Sequence, residues 1–174
     1  MSGKLTLVTG PMKSYKSTEM WRLLERQLIA RKKVAIVRPK IDARNYISRN
    51  IKNLPVPILM AERLAELDLA EFEVIGVDEG QFFKHLAHDA NKLASIGKEV
   101  IITALNGTAE QKAWSEVQKL FPLVDEIIFL HAVCDNCGKD AAFSHFVGGK
   151  REQIVIGDKE YISLCRECLQ NAQK

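Results

Sequence analysis

Leu7-Val8-Thr9-Gly10-Pro11-Met12-Lys13-Ser14-Tyr15-Lys16-Ser17-Thr18 is the stretch that decides the fold. Its apolar lead-in, Leu5 to Val8, has the composition of a buried strand, and from Ser17 onward Met20, Leu23, Leu24 and Leu28 recur at helical spacing. A strand, a tight loop and a helix therefore follow one another with no spare residues. That is the setting in which G-x-x-x-x-G-K-[ST] cradles a polyphosphate. The loop's backbone N–H groups would wrap the anion, Lys16 would reach the terminal phosphate oxygens, and Ser17 would hold a metal ion. Tyr15 stands where the pattern has its second glycine, so the chain asks a residue with a Cβ to take a backbone angle that Gly adopts cheaply.

The chain has 174 residues, 47% of them hydrophobic, enough for one good-sized core with a small appendage. Its formal charge of +3 is compatible with anionic substrates, while no basic run marks a face for duplex nucleic acid. No apolar stretch approaches the ~20 residues of a membrane span. Met1-Ser2-Gly3-Lys4 leads straight into the first strand rather than a signal sequence. The expectation is a soluble cytoplasmic protein that engages neither membrane nor nucleic acid.

Strand and helix patterns then alternate. Lys33 to Arg38 is a second β-branched strand ended by Pro39, Lys40 to Pro57 a long polar loop, and Ala61 to Leu69 a short helical pattern. Glu73-Val74-Ile75-Gly76-Val77-Asp78-Glu79 is a buried strand presenting two carboxylates at its C-terminal end, which in a parallel sheet faces the ligand crevice. One carboxylate suits Mg²⁺, and a second beside it suits a base for a substrate hydroxyl. Gly80-Gln81-Phe82-Phe83 follows, then a helix carrying His85 and His88, a strand over Glu99 to Ala104, a brief helix from Trp114 to Leu120 and another buried strand over Glu126 to Leu130. The repeated order over 1–130 predicts an α/β domain with parallel crossovers.

Residues 131–174 have a different character. Cys134-Asp135-Asn136-Cys137 and Cys165-Arg166-Glu167-Cys168 are two intact knuckles of a four-cysteine zinc ribbon, with Ala141 to Val147 and Gln153 to Ile156 expected as a hairpin around Gly148-Gly149-Lys150. A closed Cys₄ site leaves no open coordination position, so its expected role is structural. A redox role for either pair is the alternative.

Taken together, Gly10-Pro11-Met12 with Lys16-Ser17-Thr18-Glu19, Asp42-x-Arg44, Val77 to Phe83, Ala104-Leu105-Asn106-Gly107-Thr108, and the cysteine pairs enclosing Ile154-Val155-Ile156-Gly157 and Tyr161 resemble the zinc-containing thymidine kinases, in motif order and over essentially the whole chain. The resemblance implies a P-loop NTPase-like parallel sheet with flanking helices, followed by a small zinc-ribbon domain whose lasso covers the nucleoside. It implies ATP with Mg²⁺, thymidine or deoxyuridine as acceptor, a structural Zn²⁺ on Cys134, Cys137, Cys165 and Cys168, and a homotetramer. On the matching positions, Gly10, Pro11, Met12, Lys13, Ser14, Tyr15, Lys16, Ser17 and Thr18 with Asp42, Asp78 and Gln81 would bind ATP and Mg²⁺. Glu79 would take the proton of the 5′-hydroxyl, with Arg44 and Lys16 steadying the phosphoryl in transfer. Met12, Phe82, Leu105, Trp114, Ser144, Ile156 and Tyr161 would line the nucleoside pocket. The sequence departs from the family pattern at Lys13, Tyr15, Asn106 and Ala109, and has a lone glycine, Gly157, where the lasso commonly has two. A nucleotide-binding homologue with catalysis impaired at Tyr15 is the alternative these departures leave open.

Overall fold

The computed structural model describes residues 3–42, 55–148 and 160–173. Strand β1 (Lys4–Gly10) enters helix α1 (Lys16–Ile29), followed by β2 (Val34–Pro39), β3 (Ile58–Ala61), β4 (Val74–Val77), α2 (Leu86–Ser95), β5 (Glu99–Leu105), α3 (Ser115–Leu120) and β6 (Glu126–Phe129). These six strands form one sheet in the order β3-β2-β4-β5-β1-β6, and every pairing is parallel. The chain leaves β1 toward β2 on one side and leaves β5 toward β6 on the other. The winding therefore reverses beside β1, where the strand ends open a ligand crevice.

The inner strands β2, β4, β5 and β1 are apolar on both faces because both faces are covered, whereas the edge strands β3 and β6 are largely exposed, so the burial expected of 126–130 is corrected: an edge strand has a neighbour on one side only. Along each strand, alternate residues enter different cores. Leu5, Leu7, Ile75, Val77, Val100 and Ile102 pack with Leu86, Ala87 and Ala90 of α2 and Val117 and Leu120 of α3. Val8, Ile36, Val74 and Ile101 pack with Met20 and Leu24 of α1. Gly76 permits that second contact, since a Cβ on it would lie 2.6 Å from Leu24 Cδ1. Of the helical face expected on α1, Met20 and Leu24 are fully buried, while Leu23 and Leu28 pack at its margin.

Two local expectations are corrected. The helical pattern over 61–69 amounts to a single 3₁₀ turn, Leu64–Glu66, and the residues just before it, Ile58–Ala61, form an edge strand. Leu64 in that turn and Leu69 beyond it are buried in the core, with Leu67 half-buried and Glu66 exposed, so these three leucines serve a turn as well as a helix. His85 precedes α2 with φ of 54° rather than lying within it.

Beyond β6, β7 (Ala132–Val133) pairs with β8 (Asp140–Ala141), and β9 (Phe143–Phe146) pairs antiparallel with β10 (Tyr161–Leu164) ahead of α4 (Arg166–Ala172). The strand that meets β9 is thus 161–164. The expected partner, 153–156, lies outside the described residues, as do Arg44 and Ile156. The buried core of this region is small: Ala132, Cys134, Ala141, Leu164, Cys165 and Leu169.

Candidate active site and metal centre

The loop between β1 and α1 is held by its own side chains. Gly10, with φ of 156°, lets the turn pass under Leu130, whose carbonyl a Cβ would strike. Ser14 is buried and its hydroxyl donates to the Pro11 carbonyl at 2.8 Å. Lys16 Nζ folds over the loop, donating to Pro11 O at 2.6 Å and Ser14 Oγ at 3.4 Å. This places an ammonium at the start of a 14-residue helix whose first N–H groups lack intrahelical acceptors, a setting made for an anion. Thr18 lies in that first turn.

Tyr15 takes φ of 62° and ψ of 26°, the left-handed conformation the glycine pattern calls for. Its side chain is 66% exposed and its carbonyl still accepts the Glu19 N–H at 3.0 Å, so the loop and the helix start are both formed with tyrosine present.

At the end of β4, Asp78 is fully buried. Ser17 Oγ donates to its Oδ1 at 2.7 Å, and Thr103 Oγ1 of the neighbouring β5 donates to the same oxygen at 2.7 Å. A serine hydroxyl and a carboxylate meeting beneath a phosphate cradle are hard oxygen donors of the kind Mg²⁺ takes. Thr103 also accepts the Glu79 N–H at 3.1 Å, which ties the next carboxylate to the same strand. Glu79 itself adopts φ of 53°, a left-handed angle that costs a non-glycine residue and concentrates at working sites. Gln81 Nε2 donates to Glu79 Oε2 at 2.6 Å while Gln81 Oε1 accepts the Leu105 N–H at 3.1 Å. Gln81, expected beside ATP, is placed against Glu79.

Phe82 meets Trp114 edge to face with centroids 5.8 Å apart, next to the buried Leu105. Phe146 and Tyr161 make a similar pair at 5.3 Å across β9 and β10. Asp42 is buried in an ion pair with Arg38 at 2.6 Å, at the end of β2.

The ribbon sits on the phosphate loop. Met12 N–H donates to Ser144 Oγ at 2.9 Å, Ser163 Oγ donates to Met12 O at 2.8 Å, and Lys13 Nζ lies 3.2 Å from Asp135. Asn106 Nδ2 adds a bond to Ala142 O at 2.9 Å. Thr103, Arg38 and Ser163 escaped the sequence reading. Each is a lone polar residue in an apolar strand; Thr103 and Ser163 find their partners only in distant segments, while Arg38 pairs with Asp42 four residues on.

The Sγ atoms of Cys134, Cys137, Cys165 and Cys168 all lie within 4.8 Å of one another, with Cys137 and Cys165 at 3.6 Å. Zn–S bonds of about 2.3 Å in a tetrahedron require sulfurs about 3.8 Å apart, so the set fits zinc. Its electrostatics agree. Burial raises the Cys134 thiol, but N–H groups of Cys165, Asn136 and Cys137 outweigh that and bring it down to about 6. The sulfurs of Cys137 and Cys165 push Cys168 up to about 12. Four sulfurs so close can all ionise only with a cation among them.

This sheet, loop and hydroxyl–carboxylate pair define a nucleotide-binding α/β protein of the P-loop class, with a four-cysteine module docked on the loop. The family model described as thymidine kinase matches residues 3–169. Thymidine kinases of Myxoma virus (strain Lausanne), Sheeppox virus (strain KS-1) and Vaccinia virus (strain Ankara) are 38%, 39% and 37% identical over 95% of this chain and 96% of each viral chain. The chain belongs to the thymidine kinase family.

Proposed function

We propose that this protein transfers the γ-phosphoryl group of ATP to the 5′-hydroxyl of thymidine, or of deoxyuridine, to give the monophosphate. The observation that carries the assignment of roles is the bonded line Ser17–Asp78–Thr103–Glu79, which links the phosphate loop to a second carboxylate at adjacent strand ends. Lys16 and the loop N–H groups hold the triphosphate. Ser17 and Asp78 would hold Mg²⁺, which would supply charge neutralisation for the phosphate oxygens. Glu79 accepts the proton of the 5′-hydroxyl, O5′ forms its bond to the γ-phosphorus, and the bond to the β-phosphate oxygen breaks to release ADP. Arg44 steadies the equatorial oxygens. Met12, Phe82, Leu105, Trp114 and Tyr161 form the nucleoside walls, with Ile156 closing from the lasso. Cys134, Cys137, Cys165 and Cys168 hold Zn²⁺ and anchor the lasso. The same reading gives a cytoplasmic homotetramer, which light scattering of the purified protein tests for assembly.

An impaired homologue was the alternative because of Tyr15. Its exposed side chain and intact helix start favour the active enzyme. The test is a product assay with Mg·ATP and labelled thymidine, comparing wild type with Glu79→Gln. Wild type should form monophosphate, and the variant should lose on the order of 10²- to 10⁴-fold in turnover with thymidine affinity retained. No product from wild type, or equal loss of turnover and affinity in the variant, would overturn the assignment.

A further inference from the structure

Ser144 and Ser163 are cross-strand partners in the β9–β10 pair, and both hydroxyls reach the same residue of the phosphate loop. One accepts the Met12 N–H and the other donates to the Met12 carbonyl, so the backbone of Met12 is gripped from both sides. Both serines are buried, Ser163 completely. The grip continues into the first cysteine knuckle. Asp135 N–H donates to Ser163 O at 2.8 Å, Ser163 N–H donates to Asp135 Oδ2 at 2.6 Å, and Lys13 closes the ring through Asp135. A bonded path therefore runs from the knuckle through Ser163 to the loop that wraps the phosphates.

We infer that Ser144 and Ser163 are positioning residues for triphosphate binding, and that the cysteine module sets the shape of the phosphate loop as well as anchoring a nucleoside cover. The inference rests on the phosphate-loop reading above. A fixed Met12 peptide holds Pro11 O and Lys13 at the spacing that lets Lys16 lie across the loop; without the grip, the loop samples other arrangements and pays the ordering cost when ATP binds.

The experiment is calorimetric titration of Mg·ATP, with no nucleoside present, into full-length wild type, Ser163→Ala, Ser163→Thr and Ser144→Ala. Thymidine is titrated separately, and thermal unfolding verifies that each variant is folded. Removing either hydroxyl should weaken Mg·ATP on the order of 3- to 10-fold, the worth of one hydrogen bond, and in Ser163→Ala thymidine affinity should stay within about 2-fold of wild type. Ser163→Thr, which keeps the donor, should restore most of the Mg·ATP affinity. Treating wild type with a zinc chelator should lower Mg·ATP affinity in the same direction. Unchanged Mg·ATP binding in both alanine variants, or a loss confined to thymidine, overturns the inference and leaves the kinase reading standing. A threonine variant as weak as the alanine one overturns it too, since packing would then be the cause. Wild type that binds no Mg·ATP would overturn the phosphate-loop reading and this inference with it.

Discussion

Gln81 donates to Glu79 at 2.6 Å while its own carbonyl oxygen is held by the N–H of Leu105, so the carboxylate assigned as base is aimed by an amide fixed to the end of β5. Glu79 sits on a left-handed turn where the backbone alone does not fix the side chain. Gln81→Ala should lower kcat on the order of 10-fold while KM for ATP changes little, the cost of one orienting bond. Gln81→Glu replaces the donor by a second carboxylate and should cut kcat further than Gln81→Ala does. Wild-type kcat in both variants would show that Gln81 does not orient Glu79.

Thr103 serves two carboxylate residues with one hydroxyl, donating to Asp78 and accepting from the Glu79 backbone. Thr103→Val keeps shape and strand propensity but deletes both bonds in a buried place. The expected loss is about 1–3 kcal/mol of stability, measured by denaturant unfolding, together with a higher Mg²⁺ requirement for turnover. A stable variant with wild-type Mg²⁺ dependence would remove Thr103 from the site.

Tyr15 carries a backbone cost that its exposed side chain does little to offset. A left-handed L-residue costs roughly 1–2 kcal/mol, and glycine returns about 0.5–1 kcal/mol of that as extra freedom of the unfolded chain. Tyr15→Gly should therefore stabilise the protein by up to about 1 kcal/mol, seen as a rise in Tm, with Mg·ATP affinity kept or improved. A fall in Tm would mean that the ring makes contacts the fold depends on.

What was legible in the sequence was what is local. The strand, loop and helix around Lys16 occupy consecutive residues, so apolar run, motif and helical period coincide there, and the carboxylates at the end of Val74–Val77 announce themselves by charge after an apolar run. Ile58–Ala61 was hidden because its strand identity comes from pairing with β2, and its outer residues Ile58 and Met60 remain exposed at the sheet edge. Ser163 and Thr103 were missed for the same reason. Each has its role through a partner far away in sequence, and a single hydroxyl in an apolar setting carries no periodic signal.

Removing zinc should unfold the region beyond β6 before the sheet. Among the described residues, two of the six in its buried apolar cluster are Cys134 and Cys165 of the proposed zinc site, and the other four are two alanines and two leucines. A core of that size cannot outweigh chain entropy without a cross-link. Cys165→Ser or a chelator should split thermal unfolding into two transitions, the earlier one belonging to this region. Because thiolates are the ligands, metal should be lost as pH falls and protons compete for sulfur. A single unchanged transition in the chelated protein would show that the ribbon stands without metal.

Asp89 supplies a pH dependence of stability remote from the site. Burial would raise its carboxyl, yet bonds from Arg63 at 2.9 and 3.0 Å, from His88 and from the Ala65 N–H prevail and bring it from 3.8 down to about 2. With the folded value below the unfolded one, the ionised carboxylate stabilises the fold at all pH values above about 4, and that contribution drains away as pH falls from 4 toward 2. The shift corresponds to about 2 kcal/mol, and it joins the turn at Leu64–Glu66 to α2. Asp89→Asn should lower stability by about that amount at neutral pH. The gap between wild type and variant should close on acidification below about pH 4, because only wild type has this proton to take up. Tm measured against pH for both proteins decides it: curves that stay parallel from about pH 6 to about pH 2 would mean that the Arg63–Asp89 pair contributes no linked stability.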